Sequence, residues 1–177
     1  VTGASGAGVT TLGGALAGAL SVPQLDTDDF YWLPSDPPFR HKRAIPERLR
    51  LLGEALDRTP RGWVLSGSLD GWGDPLVPRF DVVVFLLVPT GERLERLRMR
   101  ERHRYGEAAL APGGPLHEHY RAFVEWASTY DEGSQEGRSR PRHEAWLARL
   151  PCPVIRLEGV LALDDMVSRV LGVPPRG

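Results

Sequence analysis

A chain of 177 residues, 41% hydrophobic and 25% charged, suits one well-packed α/β domain. Its formal net charge of −1 supplies no overall field for nucleic acid or an anionic membrane surface, so any basic site has to be a local cluster. A lone cysteine, Cys152, excludes an internal disulfide, and no run approaches the ~18–20 apolar residues of a membrane span; a soluble chain in the reducing cytoplasm is expected.

The chain opens at Val1-Thr2-Gly3, directly on a glycine loop. Such a loop should follow a buried strand, so the missing part of a longer first strand is expected upstream. Short apolar runs bounded by turn residues predict further buried parallel strands at 23–26, 63–66, 81–88 and 153–157. Helical periodicity predicts helices at 8–20, 46–56, 90–105, 117–130, 140–150 and 163–171. This alternation predicts a three-layer, doubly wound parallel sheet of about five strands, forming a single domain over 1–177 with a helical lid segment at 97–140. Three irregular stretches, 33–46, 69–78 and 106–115, are candidate substrate-facing loops. Pro174-Pro175-Arg176-Gly177 reads as a frayed end.

Gly3-Ala4-Ser5-Gly6-Ala7-Gly8-Val9-Thr10 has the spacing of the Walker A motif, except that Val9 stands where lysine belongs. Successive backbone N–H groups and the dipole of the following helix can hold phosphates without that lysine, and the Thr10 hydroxyl can still ligate Mg²⁺. A glycine turn that merely caps a helix is the alternative.

Next comes Leu25-Asp26-Thr27-Asp28-Asp29-Phe30-Tyr31-Trp32, with three carboxylates at the end of a strand that should face the glycine loop. A carboxylate there can serve Mg²⁺, or orient and deprotonate an attacking hydroxyl. Asp26 and Asp28 share a direction on an extended segment and Asp29 points elsewhere. A solvated turn is the competing account.

The glycine loop Gly3 to Thr11, taken with Asp26-Thr27-Asp28-Asp29-Phe30-Tyr31, resembles the adenylate kinase-like group of P-loop kinases. Within that group the D-x-D is similar to shikimate kinases, and Asp-Asp-Phe-Tyr to uridine kinases; gluconate kinases belong to it too. The resemblance implies transfer of the γ-phosphoryl group of Mg·ATP to a small hydroxylated metabolite, nucleoside or nucleotide. ATP then lies on Gly3, Ala4, Ser5, Gly6, Ala7, Gly8, Val9, Thr10 and Thr11. Asp28 is the acceptor-side carboxylate, and Thr10 with Asp26 holds the metal, because Ser66 occupies the place where many members carry a Walker B acid. Asp29, Tyr31, Lys42, Arg43, Asp70, Trp72 and Asp74 are candidate acceptor contacts, with packing the alternative for Trp72 and solvation for the basic stretch 40–43.

By the same resemblance, Arg100 and Arg104, at the end of the helix 90–105, are the lid arginines that neutralise the transferring phosphoryl group. A plain mixed-charge helix face is the alternative, given Glu92, Glu95, Glu101 and Glu107. The Arg138, Arg140 and Arg142 cluster suits lid or adenine-side contacts, and the end of the strand at 153–157 lies near the adenine. A nucleotide-binding module without phosphotransfer is the second reading, and a nucleotide hydrolase driving a partner is the third. Monomer and homodimer are both compatible with the sequence.

Overall fold

Thr2–Gly3 (β1), Gln24–Asp26 (β2), Val64–Ser66 (β3), Val83–Leu87 (β4) and Val154–Glu158 (β5) form the strands of the computed structural model, which describes residues 1–173. β4 pairs in parallel with β1 and with β5, setting Thr2 opposite Phe85 and Val83 opposite Val154; β2 pairs in parallel with β3, Gln24 opposite Val64. Val1 joins the two sets, its nitrogen donating to the Leu65 carbonyl (2.7 Å) and its own carbonyl accepting from Gly67 N–H (3.0 Å). The strand order is therefore β2-β3-β1-β4-β5. The reading of 174–177 as frayed lies outside the described residues.

β3, β4 and β5 alternate between two apolar layers, as expected of a sheet covered on both faces. Val64, Val84 and Leu86 pack with Leu12, Leu16 and Ala17 of α1 (Val9–Leu20) and Val170 of α8 (Leu163–Leu171). Leu65, Val83 and Phe85 face the other way, onto Leu52 and Leu56 of α3 (Ile45–Asp57) and Trp146 and Leu147 of α7 (Arg140–Leu147). The three-layer α/β architecture is thus as the sequence predicts.

The chain leaves β1 toward β2 on one side and leaves β3 toward β4 on the other, so a crevice opens between the C-terminal ends of β1 and β3. The 97–140 segment folds as the end of α4 (Thr90–Tyr105), α5 (Glu107–Leu110), α6 (His117–Ser128) and a loop returning to α7. Among the described residues no helix is long and apolar enough to cross a membrane.

Arg93 on α4 is completely buried. It donates to the Val88 carbonyl (2.9 Å) and pairs with Asp131 (2.8 Å), pinning α4 to the loop after α6. Partnering of this kind is what makes a buried guanidinium tolerable.

Candidate active site

The loop between β1 and α1 closes with a turn in which Ala7 N–H donates to the Ala4 carbonyl (3.1 Å). Two of its glycines are required by conformation. Gly6 has φ +80 and a Cβ there would lie 2.4 Å from the Arg93 carbonyl oxygen; Gly8 has φ +91 at the helix N-cap, with open space where a Cβ would project. The loop is thus pressed against α4 at Gly6 and left clear at Gly8. Val9, in the lysine position, turns inward onto the α1 side of the core and brings no charge to the loop.

Thr10 and Asp26 meet across the crevice, the hydroxyl donating to Oδ2 at 3.1 Å. Asp26 ends β2 and N-caps α2 (Thr27–Tyr31), its Oδ1 accepting from Asp28 N–H at 3.0 Å. The expected extended segment is therefore a short helix from Thr27 onward, because the Asp26 cap satisfies an otherwise orphan N–H and starts the turn. The outcome still brings Asp26 and Asp28 to one mouth, through capping in place of strand alternation. Gln24 Nε2 steadies the base of the site by donating to the Thr10 carbonyl and to Ser66 Oγ, both at 2.8 Å.

Loss of hydration raises the Asp28 carboxyl above its ordinary pKa; the nearby Arg138 charge pulls it down and Asp26 pushes it up. Asp28 Oδ1 accepts from Trp32 Nε1 at 3.3 Å. Asp29, on the exposed face of α2, is likewise raised, first by desolvation and then by Asp26.

Beside α2 the chain packs an aromatic and cationic cluster. Arg48, only 6% exposed, lies with its guanidinium carbon 3.7 Å from the Tyr31 ring centre and 5.7 Å from that of Trp72, while its Nε donates to the Arg43 carbonyl at 2.6 Å. Trp72 is buried, with its indole N–H on the Ser68 carbonyl (3.1 Å), so it backs the site as a packing anchor. Three other expected acceptor contacts are taken up inside the protein. Arg43 binds the Phe30 and Trp32 carbonyls and Glu47, Asp70 pairs with Arg142 (2.9 Å), and Asp74 accepts from Trp146 Nε1 (2.8 Å). Lys42 stays exposed beside Trp32, on the returning arm of the 32–42 segment.

Neither Arg100 nor Arg104 has a hydrogen bond or ion pair with the glycine loop among the described residues. Arg100 is bound to Glu101 (2.8 Å), and Arg104 lies over Phe39 at 5.6 Å. The arginine that does reach the loop is Arg138, whose Nη2 donates to Ser5 Oγ at 3.2 Å. The sequence places Arg138 in a basic cluster suited to lid or adenine-side contacts without naming this partner, and no motif points to Arg48.

Behind the site, His143 is fully buried between Tyr130 OH (2.7 Å to Nδ1) and Ser68 Oγ (2.8 Å to Nε2). On the other side of the loop, a surface depression at the ends of β4 and β5 is lined by Leu87, Val88, Asp131, Arg140, Glu158 and Gly159.

No protein-family model matches the chain. The uncharacterized protein YqaC of Bacillus subtilis (strain 168) is 49% identical over 171 residues, spanning 97% of this chain and 93% of that protein. Shikimate kinase from Bacteroides thetaiotaomicron has a TM-score of 0.53 at 19% identity, with 96% of this chain and 92% of that one covered. Shikimate kinase from Acinetobacter baumannii in complex with shikimate has a TM-score of 0.53 at 18% identity, with 96% and 88% covered. At such identities the likeness shows a shared fold, the one these two shikimate kinases have.

Proposed function

This chain belongs to the family of Bacillus subtilis YqaC, and from that premise we propose that it is a phosphotransferase that moves the γ-phosphoryl group of Mg·ATP to a small hydroxylated acceptor. The observation that carries the reading is the meeting of Thr10 and Asp26 at 3.1 Å beside the glycine loop, with Asp28 at the same mouth. A hydroxyl and a carboxylate are the hard oxygen donors that suit Mg²⁺, an ion usually held by one or two protein oxygens with phosphates and water supplying the rest. When bound with the nucleotide, Mg²⁺ neutralises charge on the phosphate oxygens.

The remaining work falls to the chain's own residues. The loop N–H groups from Gly3 to Thr11 and the N-terminus of α1 hold the phosphates, and the depression beside Leu87 and Gly159 takes the base. Asp28 orients the acceptor hydroxyl and receives its proton as the oxygen attacks the γ-phosphorus and the bond to the β-phosphate oxygen breaks. A carboxyl raised by desolvation, as Asp28 is, is a stronger base than an ordinary aspartate and so better able to accept that proton. Arg48, Tyr31 and the exposed Lys42 and Asp29 lie toward the acceptor. Arg104, over Phe39, also belongs to that side, and Arg100 lies outside this assignment.

A nucleotide-binding module without phosphotransfer is the second reading, favoured by the uncharged Val9 in the lysine position. A screen with Mg·ATP against nucleosides, nucleotides and small hydroxy acids separates the two. Phosphorylation of any acceptor class supports the kinase, and tight Mg·ATP binding with no product from any of them supports the binder.

A further inference from the structure

A glycine loop without its lysine lacks a mobile positive charge where negative charge gathers on the transferring group. The backbone nest and the helix dipole supply partial charges only. Arg138 supplies a whole one in the right place. Its guanidinium bonds Ser5, inside the loop, from a segment 133 residues away, and its field also reaches Asp28.

The arm that carries Arg138 is held against the fold. Ser139 is buried and N-caps α7, Arg140 N–H donates to the Tyr130 carbonyl (2.7 Å), and Trp126 Nε1 donates to the Glu136 carbonyl (3.0 Å). Gly137, at φ +103, folds the chain back so closely that a Cβ there would lie 3.4 Å from Trp126 Nε1. Arg138 then stacks over the Trp126 ring at 5.5 Å. It has no ion pair among the described residues, whereas Arg93, Arg100 and Arg142 are each committed to a carboxylate. A stacked, uncommitted guanidinium has donors free for phosphate oxygens and costs little to reorganise.

We infer that Arg138 is the phosphate-binding cation of this site, standing in from the loop before α7 for the lysine that Val9 replaces. The inference rests on the phosphotransferase reading above, and it assigns to one residue the charge that reading leaves unsupplied.

The test compares wild type with Arg138→Met, which keeps the stem on Trp126, and with Arg138→Lys, which keeps the charge. Calorimetry measures affinity for Mg·ATP and for Mg·tripolyphosphate, the latter carrying no base, and melting temperatures check the fold. Arg138→Met should lose affinity for both ligands by at least about tenfold, and phosphoryl transfer by on the order of a hundredfold, with Arg138→Lys in between. Adding Val9→Lys to Arg138→Met should restore affinity if the two positions do the same work. Unchanged affinity for tripolyphosphate in Arg138→Met overturns the assignment alone, as does an equally stable double variant that regains nothing. If the double variant melts early, the order of Lys above Met at position 138 decides. Wild type without affinity for either ligand overturns the assignment together with the phosphotransferase reading.

Discussion

The two ends of the crevice are made of different material. At the phosphate end the contacts come from backbone and small side chains, Gly3 to Thr11, with Gly6 and Gly8 at φ +80 and +91. At the acceptor end they come from large side chains fixed by one another, with Arg48 wedged between Tyr31, Trp72 and the Arg43 carbonyl. A backbone site depends on conformation at a few consecutive residues, so a short motif encodes it. A side-chain site depends on residues that tertiary packing alone brings together. On the proposed phosphotransferase reading, the contrast teaches that phosphate contacts are written locally, while acceptor contacts are spread over β2, α2, α3 and the loop after β3.

The largest effect should come from breaking the backbone end. Gly8→Val meets no atom within 4 Å where its Cβ would start, but forces a branched residue to φ +91. A strained conformation of this kind costs roughly 1–3 kcal/mol. A cooperative melt should therefore survive while affinity for Mg·ATP falls by about a hundredfold or more, read by calorimetry. Normal affinity in a well-folded Gly8→Val protein would remove the phosphate end from the comparison.

Between the two ends stands the Asp26–Asp28 pair. Asp28→Asn should lower turnover by about a hundredfold or more, the scale of losing a general base, with Mg·ATP affinity nearly intact. Asp26→Asn should instead shift the Mg²⁺ dependence of turnover to higher concentration. In wild type, desolvation raises the Asp28 pKa, so the acid limb of the pH–rate profile should lie above that of an ordinary aspartate. If both substitutions weakened Mg·ATP affinity alone, the acceptor-side and metal-side roles would have no basis.

How much of this could be read in the chain itself follows the same division. The 81–88 run announced β4 because four buried residues in a five-residue strand leave little room for polar alternation, and Val83–Leu87 is what forms. The glycine spacing announced the loop, since φ > 0 at Gly6 and Gly8 admits few other residues. The acidic cluster announced carboxylates at the end of β2 but not their local form: Asp26 turned out to cap a helix, which strand alternation cannot foresee. Arginine was the least legible residue type. Arg93, Arg48 and Arg138 share the charge of the solvated arginines on α4, yet one is a buried clamp, one a stacked wedge and one reaches the glycine loop. Only the partners that folding delivers distinguish them.

His143 ties the two ends together from behind and gives a pH test of that tie. Tyr130 lies on the Arg138 side and Ser68 at the end of β3, and a neutral ring satisfies both by accepting at one ring nitrogen and donating from the other. Burial lowers the His143 pKa from 6.5 to about 4. The unfolded chain then takes up the proton first, so the contribution is fully present above pH 6.5 and is lost as pH falls toward 4. Over pH 7 to 5 this amounts to about 2 kcal/mol, at roughly 1.4 kcal/mol per unit. Urea melts of wild type should lose stability in that window, and His143→Gln should flatten the loss by a similar amount. An equal pH slope in the two proteins would show that the tie does not titrate.

The smallest effect, and the sharpest on the acceptor end, concerns Arg48. Its Nε is spent on the Arg43 carbonyl and its face on Tyr31, so what remains for a ligand is the outer edge of the guanidinium, the geometry that grips a carboxylate or phosphate with two parallel bonds. Arg48→Met keeps much of the apolar stem that packs on Tyr31 and Trp72 and removes that edge. Losing a charge-assisted hydrogen bond of this kind costs about 1.5–3 kcal/mol, so the Michaelis constant of an anionic acceptor should rise by roughly tenfold to a hundredfold. kcat and Mg·ATP affinity should change little, because the phosphate end is built from other residues. Arg48→Lys should rescue poorly, since an ammonium neither stacks flat on Tyr31 nor presents a planar fork. Acceptors without an anionic group should be indifferent to either change. Should Arg48→Met instead weaken Mg·ATP and leave every acceptor untouched, the crevice would not divide into a backbone-built end and a side-chain-built end, and Arg48 would belong with Arg138 among the residues that hold phosphate.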